Sequence, residues 1–206
     1  MWVTHLLRDP DTFFERQANE LEMRRATLVV LATAFATVLG PAYVFLQLIS
    51  STDGPLAVFY AIGSAFGVFT SALTIFVIWI LFSILFFTLT RWLGSDSEFR
   101  TIFFLTGFGF LPLAFAGVAS FLAIYAVFTV PEAATSGTLP ATQIEAMNQH
   151  PAIQVIRVVS VGFICWRGFL WAFALKHATD VDLRRSALVA AIPTLASAVW
   201  ELTHLV

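Results

Sequence analysis

The chain has 206 residues, 59% of them hydrophobic and 12% charged, with a formal net charge of −2 and a mean hydropathy of +0.86. A soluble domain carries about twice that charged fraction, and nothing in the charge balance suits a nucleic-acid partner. The single cysteine, Cys165, excludes an internal disulfide and, lying in an apolar run, is expected to be a small buried side chain.

Residues 1–25 form a charged lead-in. Asp9-Pro10 reads as a helix start, with Asp as the cap and Pro in the first turn, and Thr12 and Glu15 have capping-box spacing. Phe13, Phe14, Ala18 and Leu21 share one face of that helix. The segment is therefore expected to be a cytosolic, amphipathic piece, on the membrane surface or packed under the bundle. Residues 26–206 are expected to form one transmembrane domain. Its first apolar run starts at Ala26 and continues for about 25 residues, too long for a removable signal and suited to an uncleaved anchor.

Three stretches, 26–52, 54–90 and 101–131, hold no charged residue. A helix crossing a bilayer needs about 20 apolar residues, so each can span. Span one is placed at 26–50, with a kink at Gly40-Pro41, where a backbone hydrogen bond is lost. Ser50 to Pro55 reads as a turn. The run 56–92 would reach about 55 Å as one helix, against a hydrocarbon core of about 30 Å. Either it tilts and protrudes or it is split, and a split near Gly63–Ser71 is favoured, with span two over 68–91 and 56–66 at the outer interface. Span three is placed at 101–128, its first half broken by Gly107, Gly109 and Pro112. A longer loop follows at 129–150. Span four covers 152–176, and span five covers 184–204 with Pro193 near its middle.

Basic residues set the orientation. In the five-span arrangement Arg8, Arg16, Arg24, Arg25, Arg91, Arg100, Lys176, Arg184 and Arg185 fall on one side, and the opposite loops hold none. The fold expected is all-α: a polytopic bundle of five transmembrane helices with the N-terminus inside and the C-terminus outside. Splitting 56–92 into two full crossings would destroy the asymmetry.

Two cations remain, both inside span four. Arg167 lies about 10 residues from either end, where a charge costs about 2.5 kcal/mol or more, and no carboxylate lies at matching depth. It is the candidate site for an anion or lipid phosphate, against the alternative that carbonyls, hydroxyls or snorkelling satisfy it. Arg157 has a candidate ion-pair partner in Glu201, placed opposite it if spans four and five fold back near Thr179–Asp180. Small residues recur at packing spacing in Gly63, Gly67 and Ser71, and again in Ser186, Ala190, Thr194 and Ala198. Such stripes serve close packing within the chain or a homo-oligomer face. Catalytic residues, metal ligands and cofactors are not expected, because no HExxH, GxSxG, phosphate loop or cysteine cluster is present and the four histidines are scattered.

Three pieces carry a family resemblance. They are the lead-in Pro10-Asp11-Thr12-Phe13-Phe14-Glu15, the inner loop Arg91-Trp92-Leu93-Gly94-Ser95-Asp96-Ser97-Glu98-Phe99-Arg100, and Thr106-Gly107-Phe108-Gly109-Phe110-Leu111-Pro112, a Gly-aromatic stretch ending in proline. In this order the chain resembles the Yip domain family, the Ypt/Rab-GTPase-interacting membrane proteins, and especially its archaeal and bacterial members. The resemblance covers about residues 8–205. It implies five spans with a cytosolic N-terminus. Eukaryotic relatives bind small GTPases and partner Yip proteins in vesicle traffic. This chain lacks their long N-terminal region, so a GTPase partner is not expected. The function expected is that of a non-enzymatic, multi-pass cell-membrane protein that organises the bilayer or scaffolds partners. The alternative is a small transporter, channel or lipid-handling protein built on Arg167 and the Gly/Pro-broken spans.

Overall fold

The structure is a computed structural model and describes residues 2–50, 52, 54–129 and 149–203. The loop expected at 129–150 lies almost wholly outside them. The described residues form helices α1 (Trp2–Arg8), α2 (Pro10–Asn19), α3 (Met23–Ser50), α4 (Pro55–Trp92), α5 (Phe99–Phe108), α6 (Leu111–Thr129), α7 (Pro151–Ala178) and α8 (Leu183–Thr203). Five candidate spans emerge, because α5 and α6 run on as one crossing, Phe99–Phe128.

The structure corrects the expected split of 56–92. Pro55–Trp92 is one helix of 38 residues, opened by Gly54 at φ 73° and Pro55 in the first turn. Glycine costs a helix only about 1 kcal/mol in water. In an apolar medium every backbone group must be bonded within the segment, which outweighs that cost. The hydroxyls of Thr70, Ser71 and Thr74 bond back to carbonyls one turn earlier, so they too are satisfied inside the helix.

The break expected in span three falls at Gly109-Phe110. Gly109 N–H bonds the Thr106 carbonyl and Phe110 N–H bonds the Gly107 carbonyl, both three residues back. This tightened turn separates α5 from α6. Pro112 sits in the first turn of α6, where its missing N–H is tolerated. Thr33 of α3 donates to the Phe110 carbonyl at 3.0 Å, which satisfies the break from a neighbouring helix. Pro41 and Pro193 lie inside continuous helices.

Two glycines bring helices into close contact. A Cβ on Gly117 of α6 would stand 2.8 Å from the backbone of Ala36 in α3, and one on Gly40 would meet Ile124 at 2.8 Å. The largest fully buried side chains of the core are aromatic: Trp171, Phe14, Phe86, Phe108 and Phe110.

The N-terminal helices dock into this core. Asp9 caps α2 by accepting from Thr12 N–H at 3.2 Å, so the cap is Asp9 and not the Thr12–Glu15 box. Leu6, Phe13 and Phe14 are buried within the same apolar cluster as the spans. Trp2, Phe13 and Phe14 all contact the Phe108 ring, with the Phe13 centroid at 5.1 Å. Asp11 then pins α2 to the end of α7, meeting Lys176 Nζ and His177 Nε2 at 2.6 Å each. The hydrogen bonds from Lys176 and His177 hold the Asp11 carboxyl below the usual carboxylate range. Cys165, expected to be buried, lies on the exposed face of α7.

Candidate functional site

Arg167 sits in the middle of α7 and is 4% exposed. The register of α7 against α8 sets its surroundings. A Cβ on Gly168 would overlap the Thr194 side chain at 2.3 Å, so the small residue on α7 admits the hydroxyl residue on α8. Thr194 is satisfied within its own helix, donating to the Ala190 carbonyl at 2.7 Å. One turn further along α8, Ser197 donates to the Pro193 carbonyl at 2.7 Å and accepts from Arg167 Nη2 at 2.8 Å. The hydroxyl is thus oriented by the helix so that its lone pairs face the guanidinium.

The other side of the guanidinium is aromatic. Its carbon lies 4.6 Å from the Trp171 ring centroid and 5.6 Å from that of Phe82. Ring faces attract cations, and the attraction grows to about 2 kcal/mol or more when the pair is desolvated. Trp171 is itself fixed. Its Nε1 donates to the Thr106 carbonyl at 3.0 Å, and its ring packs on Phe82, Phe86 and Phe110. The absent side chain of Gly109 gives it room, since a Cβ there would lie 2.3 Å from the indole. Thr106 in turn shares a hydrogen bond with Ser83 of α4 at 2.9 Å.

The charge is therefore met by one hydroxyl and two ring faces. None of the described ion pairs includes Arg167, and its Nε, buried from solvent, has no hydrogen-bond partner. An unused donor beside a delocalised positive charge can hold an oxyanion. The same groups, with the donor left unused, make a structural anchor that locks α4, α7 and α8 together.

The remaining sequence candidates fall elsewhere. Arg157 and Glu201 are half-buried, and the Gly168–Thr194 and Arg167–Ser197 contacts set a register that places Glu201 opposite 161–163, about one turn along α7 from Arg157. Gly63 is exposed with open space at its Cα, a Cβ on Gly67 would lie 3.5 Å from the Phe45 ring, and Ser71 bonds back to Gly67. Ala190 and Thr194 are buried in the α7–α8 contact. Ser197, Phe82, Thr106 and Asp11 were missed as partners. A hydroxyl or an aromatic ring in an apolar span looks like ordinary core composition until the helix register is known.

This architecture is that of a polytopic α-helical membrane protein, with five helices long and apolar enough to cross the bilayer. The Yip1 domain family model matches residues 4–201, and the chain belongs to that family. The match takes in the docked N-terminal helices as well as all five spans. Comparison with curated proteins and with solved structures returns no match.

Proposed function

We propose that this protein is a non-enzymatic membrane organiser or scaffold, set in the cell membrane with its N-terminus and basic loops inside. The observation that supports it is the filled centre of the bundle. Trp171, Phe86, Phe108, Phe110 and Leu170 occupy it with at most 1% exposure each. A conduit would need a polar, open path at that depth. Here interior hydroxyls spend their hydrogen bonds within the bundle, as Ser83 does on Thr106, Thr33 on Phe110 and Thr194 on its own helix. Partners would be lipid, a second copy, or another membrane protein. The open surface at Gly63 would let a foreign helix approach closely.

A second reading, lipid or anion handling at Arg167, is favoured by one observation: the buried, unpartnered Nε. The variant Arg167→Leu separates the two. In liposomes the scaffold reading predicts that wild-type protein moves neither fluorescent phospholipid nor small anions faster than empty vesicles. It predicts that Arg167→Leu changes only the unfolding midpoint, since apolar replacement of a buried charge is often neutral or stabilising. Wild-type flux that Arg167→Leu abolishes, with folding intact, would sink the scaffold reading.

A further inference from the structure

At 38 residues α4 outreaches a bilayer core. Arg91 and Trp92 in its last turn hold that end at one interface. From there a core of about 30 Å takes about 20 residues of an upright helix, or about 26 at a 40° tilt. At either angle the stretch from Pro55 to about residue 64 lies beyond the hydrocarbon. α8, with 21 residues, matches the core, so a bilayer thickened to cover α4 would bury the end of α8. The overhang is nevertheless apolar. Residues 54–90 hold no charge, and from Gly54 to Thr74 only Ser64 is buried.

The exposed side chains of this part form a seam. Phe59, Ile62, Phe66, Phe69 and Leu73 recur at alternating steps of three and four, the a/d spacing of paired helices, and are 47–73% exposed. α3 meets α4 on a different face, at Gly67, where an added Cβ would lie 3.5 Å from the Phe45 ring. Gly63 flanks the seam, and nothing lies within 4 Å of a Cβ added there. A second backbone can therefore come close at that point.

We propose that α4 of a second copy covers this seam, in a two-fold contact whose axis runs along the membrane normal. This names the partner for the scaffold reading and rests on it. Within the core, lipid chains can cover α4; beyond it they cannot. A second copy inserted the same way carries the same overhang at the same height, so each covers the other. No charge on either face opposes the contact. The area also suffices. A large aromatic side chain buries about 150–250 Å², so the five seam residues and Leu56, at their exposures, present about 700 Å² per copy. A standard interface takes about 800 Å² per partner.

The test is energy transfer between full-length copies labelled at Asp96→Cys in a Cys165→Ala background. They are reconstituted in vesicles of thin dimyristoleoyl or thick dierucoyl phosphatidylcholine, over a range of protein-to-lipid ratios. Pairing should be about tenfold or more tighter in the thin bilayer, where more of the overhang is bare. In that bilayer the double variant Phe59→Ala/Phe66→Ala should weaken pairing about tenfold or more. Both rings are exposed, so the variant keeps the fold, read as an unchanged unfolding midpoint in dilute micelles. Leu81→Ala, on the same face but inside the core and 56% exposed, should leave pairing unchanged. A short bis-maleimide should join two copies through Gly63→Cys and not through Leu195→Cys, exposed on α8. Energy transfer that is absent in the thin bilayer, or equal in both bilayers and untouched by the double variant, would overturn the α4 pairing. Energy transfer without a Gly63→Cys cross-link would overturn it too, since the copies would then meet through another face. These results leave the scaffold reading standing, because that reading fails on flux lost with Arg167→Leu.

Discussion

Replacing Trp171 with alanine is expected to cost about 3–5 kcal/mol of bundle stability, the range for deleting a fully buried large aromatic. The ring touches Phe82, Phe86 and Phe110, lies beneath the Arg167 guanidinium and donates to the Thr106 carbonyl. It therefore joins three of the five spans. In lipid the loss comes from packing and not from water exposure, because helix association in a bilayer rests on contact and interhelical hydrogen bonds. The midpoint of unfolding in mixed micelles measures it. Trp92→Ala is the matched control: that ring is 89% exposed, and its removal should leave the midpoint almost unmoved. Equal effects at the two positions would show that Trp171 is not the packing centre.

The second large effect is expected at Gly117. Its Cα faces the backbone of Ala36 and Thr37, with carbon, oxygen and nitrogen atoms at 2.8–2.9 Å from an added Cβ. Backbone cannot rotate out of the way as a side chain can. Gly117→Leu should therefore reach or exceed the top of the ~1–3 kcal/mol typical of overpacking, by pushing α6 away from α3. Gly63→Leu, with nothing within 4 Å, should fold normally and gain slightly from helix propensity. Both variants are read by yield of monodisperse protein and by unfolding midpoint. A normal Gly117→Leu protein would mean that the α3–α6 contact is looser than described.

The contrast between these glycines shows what the sequence could and could not tell. Charge-free runs and the one-sided basic residues were enough to read five helices, because span length and the scarcity of buried charge are fixed by the bilayer. Spacing also marked Gly63, Gly67 and Ser71 as a stripe, yet only Gly67 of the two glycines lies against a neighbour, at the Phe45 ring. Composition reveals that a residue is small, and not which way its helix is turned. The same limit applies to the charges. Arg167 stood out because a lone cation in an apolar span is rare. Its partners Ser197 and Phe82 look ordinary in the sequence, since any apolar span holds a few hydroxyls and rings. Asp11 could not have been matched to Lys176 and His177, because 165 residues separate it from the nearer of the two. Only the docking of α2 under the bundle brings them together.

The five-span topology with the N-terminus inside is tested most directly by vectorial labelling. A single cysteine is placed at Asp96 or at Gln149 in a Cys165→Ala background. Asp96 is preferred to the adjacent Ser95 because its side chain is 96% exposed while Ser95 is buried. Gln149 is exposed at the opposite end, where α7 begins. With a membrane-impermeant maleimide, the account predicts labelling at Gln149 in intact cells and at Asp96 only after permeabilisation. Labelling of both positions from one side would contradict the five-span topology, and labelling of Asp96 alone in intact cells would reverse the orientation.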